Sequence, residues 1–365
     1  MPRMAITMKY QQGQRIAEDV YMQDGRLVFP KGTLLTQTIY NQIRQWEKSG
    51  LLLSSETTDN YEQQYTSLRR PDYCETYIQS LLEGVDDLFE KIRKGDAIKE
   101  NQLRDLAKDI YINVHADERL SMRVPRGWTP ENYIVHHSVD VCLLSAVIAL
   151  HLGLPEAETV ELITGALLHD LGMYDMPQYL MKKKGKLSPP ELASLHQHPT
   201  RGIEKIEKSG IKLTPNERAC ILSHHERTNG QGYPQGLPYA LIPLGARIVA
   251  VADSFSAMTA QRAYRNRMDY YRAIYEISDG DGGHLDRHVV HVLSGQLRHL
   301  ILNTRVRLST GEIGYVVEFH ENNPLQPSVL ITEDAQGQPV VSRYLRNLQE
   351  KQTVFIQAVM DAHET

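Results

Sequence analysis

Cysteine is scarce in this chain. Its 365 residues include three cysteines, Cys74, Cys142 and Cys220, which are widely spaced and form no CxxC pair. An odd, scattered set does not make a disulfide framework and is typical of buried thiols in a reducing compartment. Basic residues are not in excess either, since the formal net charge is -5. We therefore expect no nucleic acid polymer and no anionic membrane surface as a partner.

Long hydrophobic runs are also lacking. The longest, residues 139–150, is interrupted by Asp140 and Ser145, so it is too short and too polar for a transmembrane helix. Residues 1–10 are polar and carry no apolar signal-peptide core. The composition, 41% hydrophobic and 23% charged, is that of a globular protein with two or three folding units. We expect it to act in the cytoplasm.

Histidine, by contrast, is plentiful, with fifteen residues. His169 and Asp170 directly follow an apolar helical stretch, and Gly172 and Pro177 then end the helix. The pair would deliver two ligands to one point, and the second carboxylate oxygen of Asp170 could bridge to another ion. A His-Asp pair alone is weak evidence, because most such pairs make ordinary hydrogen bonds.

Further candidate ligands lie in the same helical region. They are His137, His198, His224, His225 and Asp253. Asp253 interrupts the apolar helix predicted over residues 244–260, where an ionised carboxylate costs on the order of several kcal/mol unless it is paired or binds a metal. Capping of a neighbouring helix, or pairing with Arg262, is the alternative interpretation of this residue.

The ligand types indicate the chemistry. Neutral imidazoles and carboxylates suit first-row divalent ions such as iron, manganese or zinc. Seven candidates are too many for one ion and fit a two-metal centre bridged by Asp170. Such centres hydrolyse phosphoesters.

The chain divides by composition into four segments. Residues 1–60 contain Asp24-Gly25 between two short β-rich runs, which predicts a β-hairpin in an accessory or regulatory unit. Residues 61–128 carry two amphipathic helical patterns, which predict a connector and allow a homodimer. Residues 129–302 are densely helical. Thr129-Pro130 and Thr214-Pro215 are predicted helix starts, and Ser188 is the predicted cap of a helix from Pro189 to His198. Residues 303–365 change to β-rich runs around turns, which predict a small β appendage. The fold class is therefore mainly α.

The order of the motifs resembles a known family. His169-Asp170 is followed by His224-His225-Glu226 and then by residues 229–234, Asn-Gly-Gln-Gly-Tyr-Pro. This pattern is similar to the HD-GYP family of bacterial cyclic di-GMP phosphodiesterases, over roughly residues 130–302. The resemblance implies an HD-type all-helical bundle. It also implies hydrolysis of cyclic di-GMP to pGpG, and further to GMP, by a hydroxide bridging two metal ions. Iron or manganese is favoured, with zinc, nickel or magnesium as alternatives.

The resemblance also assigns roles by position. One ion falls to His137, His169, Asp170 and Asp253; the second falls to His198, His224 and His225, with Asp170 bridging. Arg262 and Arg265 match cations that reach substrate phosphates, as guanidinium groups do well. Tyr233 lies beside the substrate and, with Asp170, is the catalytic candidate. A simple turn is the other interpretation of the loop around Tyr233.

Three positions depart from the family pattern. Met173 stands where members usually have a lysine that contacts phosphate, and Lys182, Lys183 or Lys184 are candidate substitutes. Tyr133 stands where some members have a glutamate that assists a third metal, so we expect two metals. Asn229 replaces the usual aspartate before Gly230.

Other functions stay open. Met173 would also suit a weakly active or inactive member that binds the dinucleotide or a signalling partner such as a diguanylate cyclase. Hydrolysis of another nucleotide, either a nucleotide monophosphate or a hybrid cyclic dinucleotide, is a further alternative. Six other histidines of the helical region are expected at the surface or behind the ligands: His136, His196, His284, His288, His291 and His299.

Overall fold

A computed structural model describes most of the chain. The described residues are 14, 16, 20–22, 27–29, 52–54, 71–122, 124, 128–129, 132–177, 179–180, 183, 185–260, 268, 270–279, 284–296, 304–320, 323–350 and 353–360. The chain forms two compact units, Asp72–Ser294 and a second composed of Met1–Pro71 with Gly295–Thr365. The segment boundaries after residues 60, 128 and 302 stay a prediction.

The first unit is helical in its described part. Its helices are α1 (Pro71–Lys94), α2 (Glu100–Ala116), α3 (Tyr133–His151), α4 (Glu156–Leu168), α5 (Pro189–Leu195), α6 (His198–Lys208), α7 (Pro215–Ser223), α8 (Leu244–Thr259), α9 (Tyr270–Asp279) and α10 (Arg287–Gln296). Short 3₁₀ turns cover Glu118–Met122, Leu171–Asp175 and Tyr239–Leu241. The predicted helical bundle is confirmed.

Helices α3, α4 and α8 form the centre of this unit. Helix α3 is apolar on all sides, and its residues from Val139 to Ala149 are all buried. Such a helix belongs in a core or a membrane. The run over residues 139–150 was expected to be too short and too polar for a membrane, but the whole of α3 is long and apolar enough to cross one by length and composition. Here it packs against α4 and α8, so its apolar surface is covered by protein.

Two helix boundaries differ from the prediction. The helix predicted to begin at Pro130 begins at Tyr133, after Asn132. The helix predicted to run from Pro189 to His198 ends at Leu195, and α6 begins at His198. Pro199 explains this break, because it has no N–H for the carbonyl of Leu195, which a continuing helix would require. The predicted caps Ser188 and Thr214 are confirmed, each in a capping box with a glutamate.

The second unit contains two antiparallel sheets. The predicted hairpin is confirmed as β1 (Val20–Met22) paired with β2 (Leu27–Phe29), and β3 (Leu52–Ser54) pairs with the other edge of β1. The predicted β appendage is a five-stranded sheet. Its strands are β4 (Arg305–Leu308), β5 (Ile313–His320), β6 (Asn323–Glu333), β7 (Pro339–Asn347) and β8 (Ile356–Met360), in the order β7-β6-β5-β4-β8. Strand β8 was not predicted.

Candidate metal centre

Three of the candidate histidines follow the end of a helix, and this position fixes their rings. The Nδ1 atoms of His169, His198 and His224 lie 2.7, 2.8 and 2.8 Å from backbone carbonyls three residues earlier. The last carbonyls of a helix have no intrahelical partner, so they accept the Nδ1–H of a following histidine. The hydrogen is therefore on Nδ1, and the lone pair of each neutral ring is on Nε2, which is free to bind a metal.

His137 is held in a different way, because it lies inside α3. Its Nδ1 is 3.0 Å from the hydroxyl of Ser256 on α8. Its Nε2 is 3.0 Å from Oδ1 of Asp253, one helical turn earlier on α8. Asp253 is thus paired with a ring of the centre, while its alternative partner Arg262 lies outside the described residues.

Asp170 lies between two groups of imidazoles. Its Oδ1 is 3.3 Å from Nε2 of His198. Its Oδ2 is 3.7 Å from Nε2 of His137 and 3.8 Å from Nε2 of His169. The two oxygens of one carboxylate therefore face different ligand groups, as a bridging carboxylate would.

The candidate ligands form two clusters of metal-site dimensions. One consists of His137, His169 and Asp170, and the other of His198, His224 and His225; in each, one ligand atom per residue lies within 4.8 Å of the others. Asp253 approaches both clusters, since its Oδ2 is 4.0 Å from Nδ1 of His225. All seven predicted ligands are thus brought together.

The donor atoms fit cations. Nε2 of His169 is buried without a hydrogen-bond partner. The Nε2 atoms of His198 and His224 are only 3.2 Å apart, although both rings carry their hydrogen on Nδ1. Two buried lone pairs that face each other repel unless a proton or a metal ion lies close to both. A divalent ion is the better fit, because burial and the neighbouring imidazoles lower the pKa of His224 to about 3.

The electrostatics keep the ligands in their metal-binding forms. Burial lowers the pKa of His169 and His225, so both rings are neutral at neutral pH. Burial alone would raise the pKa of Asp170 and Asp253, but the surrounding histidines outweigh it and hold both carboxyl pKa values below the usual range. Neutral imidazoles and ionised carboxylates are the states that bind metal ions.

The turn after His169-Asp170 packs closely on α6. A Cβ atom on Gly172 would lie 2.0 Å from the carbonyl oxygen of His198 and 2.6 Å from the backbone nitrogen of Gly202. No side chain is tolerated at such distances, so a glycine is required. This contact fixes the distance between Asp170 and His198.

The Gly-Tyr-Pro loop is tied to the second cluster. The buried carboxylate of Glu226 accepts hydrogen bonds from the backbone nitrogens of Gln235 and Leu237, at 2.8 and 2.9 Å. The Tyr233 ring stacks on His225, with centroids 4.5 Å apart, and on His196, with centroids 3.7 Å apart. Both faces of the tyrosine are therefore covered.

His196 was not predicted as a site residue. Its sequence position, two residues before His198, would place it on another face of a continuous helix. The break after Leu195 removes that constraint and brings its ring onto Tyr233. The prediction that it lies behind the ligands or at the surface agrees with this contact and its partial exposure.

Of the other residues singled out in the sequence, some lie within the described residues and some do not. Arg262, Arg265, Lys182, Lys184 and His299 lie outside the described residues. Lys183 forms an ion pair with Glu191 at 2.5 Å. Met173 is partly exposed in the 3₁₀ turn. Tyr133 stacks on His137, with ring centroids 5.1 Å apart. Asn229 accepts a hydrogen bond from the backbone nitrogen of Gln231, and His284, His288 and His291 are exposed.

Two family models match this chain, one in the helical unit and one in the C-terminal sheet. Residues 116–289 match the HD domain, and residues 305–365 match the KOW domain associated with HD domain. A solved structure, Bd1817, an HDG"Y"P protein from Bdellovibrio bacteriovorus, superposes over 81% of this chain and 98% of its own, with a TM-score of 0.52 and 19% identity. That likeness shows the fold alone.

Curated relatives give the closer comparison. A cyclic di-GMP phosphodiesterase of Pseudomonas aeruginosa is 31% identical over 73% of this chain and 64% of its own length. One from Thermotoga maritima is 38% identical over 40% of each chain. The 3'3'-cGAMP-specific phosphodiesterase 2 of Vibrio cholerae is 31% identical over 43% of this chain. The chain spans less than two thirds of each of these relatives' lengths.

The helical bundle with its His-Asp centre therefore defines an HD domain. Over residues 116–289 the chain matches the HD domain model, and it is similar to the cyclic di-GMP phosphodiesterases of Pseudomonas aeruginosa and Thermotoga maritima.

Proposed function

We propose that the protein is a metal-dependent phosphodiesterase that hydrolyses cyclic di-GMP to pGpG, and further to GMP. The observation that carries this proposal is the placement of Asp170, whose two oxygens face two separate imidazole clusters. The similarity to cyclic dinucleotide phosphodiesterases supports the substrate class.

The ligand roles follow from the clusters. We assign one ion to His137, His169, Asp170 and Asp253, and the other to His198, His224, His225 and Asp170. Iron or manganese is the favoured metal for this set of imidazoles and carboxylates, with zinc, nickel or magnesium as alternatives. Bound there, two divalent ions would acidify water and neutralise the charge that develops on the phosphate.

Tyr233 contributes through its hydroxyl. Burial, together with the carboxylates of Asp253 and Asp170, raises the pKa of this tyrosine, so the hydroxyl stays protonated at neutral pH. Since both ring faces are covered, the group offers a substrate its O–H and its ring edge. We propose that it donates a hydrogen bond to a phosphate oxygen. Arg262 and Arg265 stay the predicted phosphate contacts.

A binding protein without turnover is the second candidate. The observation that favours it is Met173, which supplies no cation after Asp170, while Lys183 is already paired with Glu191. A change of substrate to 3'3'-cGAMP is a third candidate, since relatives with that specificity also match.

The cellular setting is part of the proposal. All three cysteines are buried and none forms a disulfide, which fits a reducing cytoplasm. Signalling partners and a homodimer through α1 and α2 stay predictions, which light scattering over micromolar concentrations would check.

Turnover by the reconstituted protein tests the function. Metal-free protein is loaded with Mn²⁺ or Fe²⁺ and incubated with cyclic di-GMP or 3'3'-cGAMP, and the products are separated by chromatography. We expect linear product from cyclic di-GMP, and background activity from Asp170→Asn. Asp175→Asn is the matched control, because Asp175 is exposed in the same turn and pairs with Lys205. Metal-replete protein that binds cyclic di-GMP without forming product would establish the second candidate instead.

A further inference from the structure

His137 differs from the other histidines of the centre in what holds its Nδ1 atom. His169, His198 and His224 each follow a helix and donate to a carbonyl of its last turn. His137 lies within α3, where the carbonyls are already taken by backbone N–H groups. Its Nδ1 meets the hydroxyl of Ser256 instead. Unlike a carbonyl, which can only accept, a hydroxyl can donate or accept.

The other nitrogen of His137 is engaged in a contact that opposes metal binding. Nε2 is 3.0 Å from Oδ1 of Asp253, and an ionised carboxylate only accepts hydrogen bonds. This contact therefore requires the hydrogen on Nε2, with Ser256 donating to Nδ1. Metal ligation through Nε2 requires the opposite tautomer, with the hydrogen on Nδ1 and Ser256 accepting it. Both His137 and Ser256 are fully buried, so solvent does not replace the hydroxyl.

We propose that Ser256 is a positioning residue that allows His137 to exchange between these tautomers, and that the cluster of His137, His169 and Asp170 consequently fills with metal second. In the cluster of His198, His224 and His225, neither His198 nor His224 has to change its tautomer to bind a metal through Nε2. Two of its rings are fixed by helix-end carbonyls, and the third is covered by Tyr233. This inference rests on the proposed two-metal centre.

Metal counting tests the inference without an activity assay. Metal-free protein is titrated with Mn²⁺ by calorimetry, and bound metal is counted after desalting. We expect the wild type to bind two ions in unequal steps. In Ser256→Ala the first step should be unchanged, and the second should weaken about 10- to 100-fold, as is typical for loss of a partner that orients a metal-binding histidine.

Two further variants isolate the hydroxyl. Ser254→Ala is the matched control, because Ser254 is on the same helix and its hydroxyl donates to the carbonyl of Ala250 in its own helix. It should bind both ions as the wild type does. Ser256→Thr keeps the hydroxyl and should restore the second step. Ser256→Ala that binds two ions with wild-type affinities, or that loses both while still folded, overturns the inference.

The tautomer itself can be observed in the wild type. With ¹⁵N-labelled histidine, NMR should show His137 carrying its hydrogen on Nε2 in metal-free protein and on Nδ1 after loading with diamagnetic Zn²⁺. A hydrogen already on Nδ1 without metal overturns the inference, even if Ser256→Ala does not fold. Wild-type protein that binds no divalent ion refutes the proposed centre itself, which is a different result from two ions bound in equal steps.

Discussion

The surroundings of Tyr233 restrict which of its groups can contact a ligand. An aromatic ring that binds a base usually offers one open face for stacking, but both faces of Tyr233 are covered, by His225 and by His196. If cyclic di-GMP is the substrate, as proposed, its purines have no face of Tyr233 on which to stack. The ring instead links a candidate metal ligand to His196 and directs the tyrosine hydroxyl.

We predict that His196 acts through this stack. His196→Ala should lower kcat about tenfold with a smaller change in KM, because misplacing a group beside the reacting atoms slows the chemical step. His196→Phe, which keeps a flat ring, should retain most of the rate. Leu192→Ala, an exposed change on α5, is the control and should have no effect. Steady-state kinetics of the Tyr233→Phe variant and of the double variant with His196→Ala complete the test. If His196 acts through Tyr233, the two losses of rate should not be additive. Additive effects of the two substitutions would contradict the prediction.

Met173 gives a second prediction at this scale. Asp170 precedes the 3₁₀ turn Leu171–Asp175, and residues three apart in such a turn lie on the same face. Position 173 is therefore suited to direct a side chain along the same side as Asp170. We expect Met173→Lys to raise kcat/KM for cyclic di-GMP at least about tenfold, by adding a cation for the phosphate. Met173→Gln controls for polarity without charge. Equal rates for the lysine and glutamine variants would show that a charge at this position does not limit turnover.

The sequence could predict which candidate ligands cluster but not what holds them. His169, Asp170 and Asp253 stood out because a charged or metal-binding residue in an apolar helix needs a partner. Ser256 and His196 gave no such signal, since serine and histidine are ordinary on a helix and at its end. Their roles depend on contacts with α3 and with the Tyr233 loop, which only the folded chain brings together.

At the scale of secondary structure elements, three of the candidate metal ligands lie at the ends of helices. His169 and His224 directly follow α4 and α7. His198 begins α6 after the break at Leu195, which Pro199 causes. The apolar periodicity predicted α4, and the cap at Thr214 predicted the start of α7. The break before His198 was missed because the periodicity continues across it, whereas one absent N–H at Pro199 decides the end of α5. A proline four residues after the last helical carbonyl was the available signal.

The loop between α7 and α8 leads to a third prediction. A Cβ on Gly232 would lie 2.4 to 2.5 Å from backbone atoms of His225, Glu226 and Arg227. Because backbone cannot move aside as a side chain does, Gly232→Ala should destabilise the protein by about 1–3 kcal/mol and displace Tyr233 from His225. Thermal unfolding and metal content measure the two effects. Gln231→Ala, an exposed neighbour, should change neither. A Gly232→Ala variant with wild-type stability and metal content would refute the assigned packing.

At the scale of the whole molecule, composition predicted a helical region between two β-containing ends. It did not predict that Met1–Pro71 and Gly295–Thr365 belong to one unit, because contacts between distant segments leave no local pattern. It also missed β8, a strand of five residues that pairs with β4 rather than with its neighbour in sequence. Short strands that are completed by a distant partner have weak periodicity of their own.

The division into units predicts which part of the protein a bound metal ion stabilises against unfolding. All seven candidate ligands lie in Asp72–Ser294, so a bound ion stabilises that unit by RT ln(1 + [L]/Kd), about 2.7 kcal/mol at a hundredfold excess over Kd. Amides of α3, α4 and α8 that exchange through unfolding of the unit should then exchange about a hundredfold more slowly. Hydrogen exchange followed by mass spectrometry, with and without Mn²⁺, measures this effect peptide by peptide. Peptides from β5 and β6 of the other unit serve as internal references and should be unchanged. Asp170→Asn, which weakens both clusters, should lose most of the protection. Equal slowing in β5 and β6 would show that the two units unfold together, whereas no slowing in α3, α4 and α8 would show that the ion does not bind where these residues place it.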